Sequence, residues 1–124
     1  MRISVMLAVP DAAAATDWYR RALGATVLWD LGSVVGLSVD GAPFFLASPQ
    51  GNAWSTPSAA GTTTARIEVF TADPDAVVAR AVAAGAVCDD PVRDHATPWG
   101  PHRQGAFWDP YGHRWLVGDA SPLP

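Results

Sequence analysis

The sequence predicts an α+β protein made of two tandem strand–helix–three-strand units. Strand periodicity, helix periodicity and turn signals follow one another in the same order twice along 124 residues. Helix-capping residues recur at a nearly constant offset, Asp11 to Asp73 and Gly24 to Gly85. The run Ala22-Leu23-Gly24-Ala25-Thr26-Val27 is echoed by Ala83-Ala84-Gly85-Ala86-Val87-Cys88. Such self-similarity marks an internal duplication. A composition of 49% hydrophobic and 16% charged residues supports a packed core and excludes a disordered chain.

The first unit, residues 1–48, opens with an alternating run from Ile3 to Val9. Ile3, Val5, Leu7 and Val9 fall on one face and Ser4, Met6 and Ala8 on the other, the signature of a strand. Pro10-Asp11 supplies a turn and an N-cap. Ala15, Trp18, Tyr19, Ala22 and Leu23 then recur at helical spacing, and Gly24 stands at the C-cap. Strands are expected at Ala25–Trp29, Ser33–Val39 and Ala42–Ala47, with Asp40-Gly41 as a two-residue hairpin turn. Residues 49–63 are rich in Pro, Gly, Ser, Thr and Ala and read as a linker.

The second unit, residues 64–124, repeats the pattern. Ala65–Thr71 reads as a strand, and Asp73-Pro74 as the N-cap and first residue of a helix with Val77, Val78, Ala81 and Val82 on its apolar side. Gly85 closes that helix. Strands follow from Ala86 through Cys88 toward Val92, at Gln104–Trp108 and at His113–Val117, the last two joined by Asp109-Pro110-Tyr111-Gly112. Asp94–Arg103, with Pro98, Trp99, Gly100 and Pro101, is expected to be a long loop of functional type.

Charge narrows the function classes. Eight basic against twelve acidic residues give a net charge of −4, the wrong sign for a nucleic-acid footprint or for docking on an anionic membrane. No apolar run is long enough to cross a bilayer. A single cysteine, Cys88, excludes an internal disulfide and fits a reducing, cytoplasmic setting. Every basic residue is Arg and every acidic residue but Glu68 is Asp, so single Arg or Asp positions carry little weight and Glu68 more.

The duplicated unit resembles the vicinal oxygen chelate superfamily of glyoxalase, bleomycin-resistance and extradiol-dioxygenase proteins. The resemblance rests on Val9-Pro10-Asp11 leading into Trp18-Tyr19-Arg20-Arg21-Ala22-Leu23-Gly24, and on Trp108-Asp109-Pro110-Tyr111-Gly112-His113-Arg114-Trp115. Pro98-Trp99-Gly100 is similar to the PhnB-like branch, named for the phosphonate-operon B protein. The resemblance implies a βαβββ pair whose mixed sheets curl into a cup for a small molecule, often in a homodimer. It also implies, in metal-using members, His, Gln or Glu ligands on the first strand of each unit and on the last strand. Here those positions fall on Ser4, Arg66 and Leu116. An Arg guanidinium only donates and is always charged, so it repels a divalent ion. No metal and no cofactor are therefore expected.

The expected ligand is small and planar or aromatic. Candidate contacts are Ser4, Met6, Arg66, Glu68, Arg114 and Leu116 on strands, with Trp54 and Trp99 in loops. Arg66 could hold a carboxylate or phosphonate bidentately; alternation puts Glu68 on the same face, where the two could also satisfy each other. The leading function is metal-independent binding of the drug-sequestration or resistance type. One alternative is a lyase- or isomerase-type enzyme with Glu68 as a buried general base and Arg66 as stabiliser; another is a glyoxalase-like metalloenzyme with relocated ligands. His95, His102 and His113 lack a spacing that fixes a metal geometry. Cys88 lacks an activating neighbour in sequence.

Overall fold

The computed structural model describes residues 1–51 and 53–122. Asn52, inside the expected linker, and Leu123-Pro124, at the end of the second unit, lie outside the described residues. The chain divides into two compact units, Met1–Thr62 and Thr63–Pro124.

In the first unit β1 (Met6–Ala8) leads to α1 (Ala12–Leu23), then β2 (Thr26–Asp30), β3 (Val34–Val39) and β4 (Ala42–Ala47). The four strands form one mixed sheet in the order β1-β4-β3-β2, with β1 parallel to β4 and the other pairs antiparallel. Asp11 caps α1 by accepting from the Ala13 and Ala14 amides, and Gly24 ends it in the left-handed region at φ 67°. Asp40 (φ 49°) and Gly41 (φ 83°) make the β3–β4 turn, the positive-φ pair that a two-residue hairpin requires. Helix α1 lies against β3 and β4. Its Tyr19, fully buried, meets Phe44 edge-on at 5.5 Å. Alternation therefore turns Leu7, Leu46, Val35 and Leu37 toward the helix as well, and all are buried.

The first strand is shorter than the Ile3–Val9 run predicts. Phe45 N donates to Val5 O at 2.8 Å, and the register Met6↔Phe45 sets Ser4 opposite Pro43. Proline has no N–H to continue the ladder. Met1, Ile3 and Val5 consequently stand exposed at 118%, 87% and 48%, and Ser4 lies before the strand. The stretch read as a linker holds a single helical turn, α2 (Pro57–Ala60), capped by Thr56, whose side chain accepts from Ala59 N.

The second unit runs β5 (Arg66–Phe70), α3 (Pro74–Ala83), β6 (Val87–Thr97), β7 (Gly100–Trp108) and β8 (Arg114–Gly118). Its mixed sheet has the equivalent order β5-β8-β7-β6. Asp73 caps α3 through Ala76 N, with Pro74 in the first turn. Helix α3 packs against β6, β7 and β8 and buries Val78 and Ala81, whereas Val82 is exposed. Ile67, Trp115 and Phe107 share one row of the register, and Phe107 stacks on Trp115 at 6.2 Å. Asp109 locks the β7–β8 hairpin. It is 4% exposed; Oδ1 accepts from Tyr111 N and His113 N, and Oδ2 from Trp115 Nε1, all at 2.9 Å.

The expected long loop Asp94–Arg103 is instead almost entirely strand. Asp94↔Arg103, His95↔His102, Ala96↔Pro101 and Thr97↔Gly100 are paired, leaving Pro98-Trp99 as the turn. Pro98 stands where a turn wants a fixed φ, Gly100 takes φ 117°, and Thr97 Oγ1 donates to Gly100 O. Pro101 is tolerated because β8 pairs with β7 only from Gln104 onward, so β7 is one-sided there. Pro91 sits in the edge strand β6.

Candidate functional site

In each sheet the side chains opposite the helix are the ones available for chemistry. In the first unit one row crosses that face: Met6, Phe45, Gly36 and Trp29 are register partners. The Trp29 indole lies flat across Gly36. A Cβ built there would be 2.4 Å from Trp29 Cε2, so only glycine leaves room for the ring. Phe45 meets Trp29 edge-on at 4.9 Å, and Met6 and Trp29 remain 44% and 37% exposed. The result is an apolar platform in which the Trp29 ring crosses the sheet and Phe45 stands edge-on to it. Met6 thus lies on the sheet face opposite the helix, in the same row as Phe45. Phe45 and Trp29 join Met6 as candidate residues of this face; Gly36 within an apolar strand is the sequence signal for both.

In the second unit the equivalent face is polar. Arg66, Arg114 and Trp108 share one row; Glu68, Leu116, Ala106 and Asp90 share the next; Phe70, Gly118, Gln104 and Arg93 share a third. Arg66, Glu68, Arg114 and Leu116 therefore all face one way, as alternation predicts. The mutual pairing open to Arg66 and Glu68 is not formed. Both are exposed, and among the described residues neither side chain has a hydrogen-bond or ion-pair partner. Solvated charges need no partner, unlike buried ones. For the enzyme reading, which needs a buried Glu68, this is a correction: the carboxylate stands in solvent.

Arg66 and Glu68 line different depressions. One, of about 510 Å³, is bounded by Thr63, Thr64, Ala65, Arg66, Trp108 and Arg114. The other, of about 330 Å³, is bounded by Glu68, Phe70, Trp99, His102, Gln104 and the segment 120–122. Trp99 at the hairpin tip is 79% exposed. His102 covers Gly118, where a Cβ would meet its Cε1 at 2.8 Å. Its buried Nδ1 lies 3.1 Å from Asp119 Oδ1 without the alignment of a hydrogen bond. His95 Nε2 is engaged by Gln104 O at 3.2 Å. Leu116 lies between the two depressions and lines neither, and Trp54, 37% exposed, belongs to the first unit.

Two clusters hold the second sheet's charged groups. Arg103 Nε and Nη2 grip Asp75 of α3 at 2.7 and 2.8 Å, and Nη1 reaches Asp94 at 3.1 Å. This brace lowers the Asp75 pKa, chiefly through the Arg103 hydrogen bonds, and raises that of Arg103. In the other cluster Arg114 Nη1 donates to Asp89 Oδ1, and Trp108 Nε1 donates to Asp89 Oδ2 at 3.0 Å. The Arg114 guanidinium also lies 4.6 Å over the Trp108 ring. The Arg114 bond, then the Trp108 bond, hold the Asp89 carboxyl below its usual range.

At the three positions that the resemblance marks for metal ligands, the donor chemistry does not fit a divalent ion. Ser4 is an exposed hydroxyl, Arg66 a cation and Leu116 a hydrocarbon, none of them a divalent-metal ligand of the usual kind. Among the described residues no three His, Cys, Asp or Glu side chains converge.

These features define a duplicated βαβββ protein that displays aromatic and charged groups on the sheet faces opposite its helices. The model of the Glyoxalase/Bleomycin resistance protein/Dioxygenase superfamily matches residues 3–117, and the chain belongs to that superfamily. The match speaks for the superfamily as a whole, not for the PhnB-like branch. An uncharacterised protein of Mycobacterium bovis, Mb0911c, is 35% identical over 94% of this chain and 81% of its own length. Among solved structures, TioX from Micromonospora sp. ML1 superposes with a TM-score of 0.76 at 28% identity, covering 96% of this chain and 98% of that one. The fosfomycin resistance protein FosX from Mesorhizobium loti, at 11% identity and a TM-score of 0.65, covers 98% of this chain and 93% of its own and shares the fold. Among the described residues no helix is long and apolar enough to cross a membrane.

Proposed function

We propose that this protein binds a small, planar, partly aromatic molecule without a metal, as a sequestering or resistance-type member of its superfamily. The Trp29–Phe45 platform over Gly36 carries this reading. An aromatic pair that keeps its surface available, beside a flexible Met6 thioether, suits a flat apolar ligand. The donor set at Ser4, Arg66 and Leu116 supports binding without a metal. The test is titration of a panel of planar aromatic and antibiotic compounds against tryptophan emission and thermal unfolding. Low-micromolar quenching by at least one compound, lost in Trp29→Leu and unaffected by chelator, is expected. A panel that neither quenches nor shifts unfolding removes the basis of the proposal. The expected homodimer belongs with it. The exposed apolar run Met1, Ile3 and Val5 and the exposed edge strand β2 offer surface that a second copy would cover. Sedimentation equilibrium giving only monomer at tens of micromolar protein would refute that part.

A further inference from the structure

The depression at the Arg66 end of the second sheet has the make-up of an oxyanion site. Arg66 and Arg114 are register partners on the adjacent parallel strands β5 and β8, which sets their backbones about 4.8 Å apart. Like charges directly opposite on a sheet repel. Only one of the two is neutralised within the unit. Asp89 takes Nη1 of Arg114, and the Trp108 ring lies under the same guanidinium. Arg114 is thereby held in one orientation, its side chain 13% exposed, with Nε and Nη2 free of partners among the described residues. Arg66 has no partner at all among them. Thr63 and Thr64 complete the rim; the Thr63 hydroxyl donates to Ala65 O at 3.2 Å, while that of Thr64 can donate to an oxyanion.

We infer that this depression binds the carboxylate or phosphate group of a small-molecule ligand, with Arg66 as the mobile clamp and Arg114 as the fixed one. Two guanidinium forks offer planar, paired donors, which is the geometry carboxylates and phosphates accept. A bound anion also cancels the repulsion between the two arginines. The ligand class of this depression is thereby narrowed to small carboxylates and phosphates, aromatic ones among them. The inference rests on the small-molecule reading above, and its test can fail separately.

The experiment is calorimetric titration of the whole chain with benzoate, phenyl phosphate, neutral benzamide and inorganic phosphate, repeated in Arg66→Gln. Arg66 is exposed and unpaired, so the variant is expected to unfold at the wild-type temperature. Both aromatic anions should bind about tenfold or more tightly than benzamide, as expected of charge-assisted pairing, and the preference should shrink with added salt. In Arg66→Gln the anions should fall to the benzamide level. Inorganic phosphate that binds as well as phenyl phosphate identifies a free oxyanion as the occupant; weaker phosphate binding identifies the aromatic acid. Anions no tighter than benzamide, or a preference that survives Arg66→Gln, overturn the inference. If neutral aromatics still bind in that case, the small-molecule reading stands without it. If no aromatic of any charge binds, both fall.

Discussion

Replacing Gly36 with Ala tests whether the aromatic platform is real. The added Cβ would sit 2.4 Å from Trp29 Cε2 and 2.6 Å from Nε1, closer than any packed carbon tolerates, so the indole must leave the sheet. Trp29 is already 37% exposed, so only part of its area is at stake. Uncovering a further ~60 Å² of ring and sheet costs about 1.5 kcal/mol at ~25 cal/mol per Å². Losing the edge-on contact with Phe45 costs about 0.5–1.5 kcal/mol more. Against this, Ala is better than Gly in a strand by about 0.5–1 kcal/mol. The net is a loss of about 1–2.5 kcal/mol, a fall of roughly 4–10 °C in Tm for a chain of this size. Thermal unfolding followed by circular dichroism measures it, and tryptophan emission should shift to the red. The decisive comparison is the same change made in Trp29→Ala. With no ring to displace, Gly36→Ala should there stabilise by about 0.5–1 kcal/mol. Equal destabilisation in both backgrounds would show that the crowding lies elsewhere and refute the platform.

Other outcomes follow from the second unit. Asp109→Ala strips the acceptor from two buried-turn amides and the Trp115 indole, and should cost about 3 kcal/mol or more in urea unfolding; a loss under about 1 kcal/mol contradicts the assigned bonds. Asp75 and Asp89 have native pKa values below the ordinary 3.8, so their contribution is present above that value and fades as pH falls through the lower native one. Unfolding midpoints should therefore decline in acid below about pH 4, and the decline should flatten in Asp75→Asn and Asp89→Asn; an unchanged acid limb in both variants removes the two ion pairs from the account. Trp99→Ala, at an exposed hairpin tip, should leave stability within about 0.5 kcal/mol, whereas a larger loss would mean the ring is packed. Glu68→Gln should leave ligand binding intact and reveal no lost turnover; loss of a measurable reaction with binding retained would instead restore the enzyme reading.

Local chemistry made most of the fold legible. Asp11, Gly24, Asp73-Pro74 and Asp40-Gly41 have backbone roles that depend on nearest neighbours, and the boundaries they imply stand within a residue or so of the observed ones. The misreadings share a cause in pairing. Ile3–Val5 alternate as a strand should, but the partner residue Pro43 lies forty positions away in sequence and cannot donate. Asp94–Arg103 looks like a loop because Pro98, Gly100 and Pro101 crowd it, yet the cross-strand pairs His95↔His102 and Ala96↔Pro101 make it a hairpin. The site followed the same rule. Period-two alternation placed Arg66, Glu68, Arg114 and Leu116 on one face, but which groups touch could not be read. Arg114 turned to Asp89 and Trp108, and Arg66 and Glu68 went to separate depressions.

The duplication itself explains why two similar units carry different chemistry. Residues facing the helices answer to packing, and there the units agree in kind: Leu7, Leu46 and Val35 in one, Ile67, Trp115 and Phe107 in the other. Opposite the helices nothing within a unit demands an apolar residue, so those positions are free to diverge. Met6, Phe45, Gly36 and Trp29 occupy one unit's row, and Glu68, Leu116, Ala106 and Asp90 the matching row of the other. The central strand keeps a small residue in both, Gly36 and Ala106. Only Gly36 is small enough for a ring to cross it, and only that unit places a tryptophan beside it. A glycine in a central strand costs stability, and the Trp29 ring packed across Gly36 offsets that cost while leaving part of its own surface exposed.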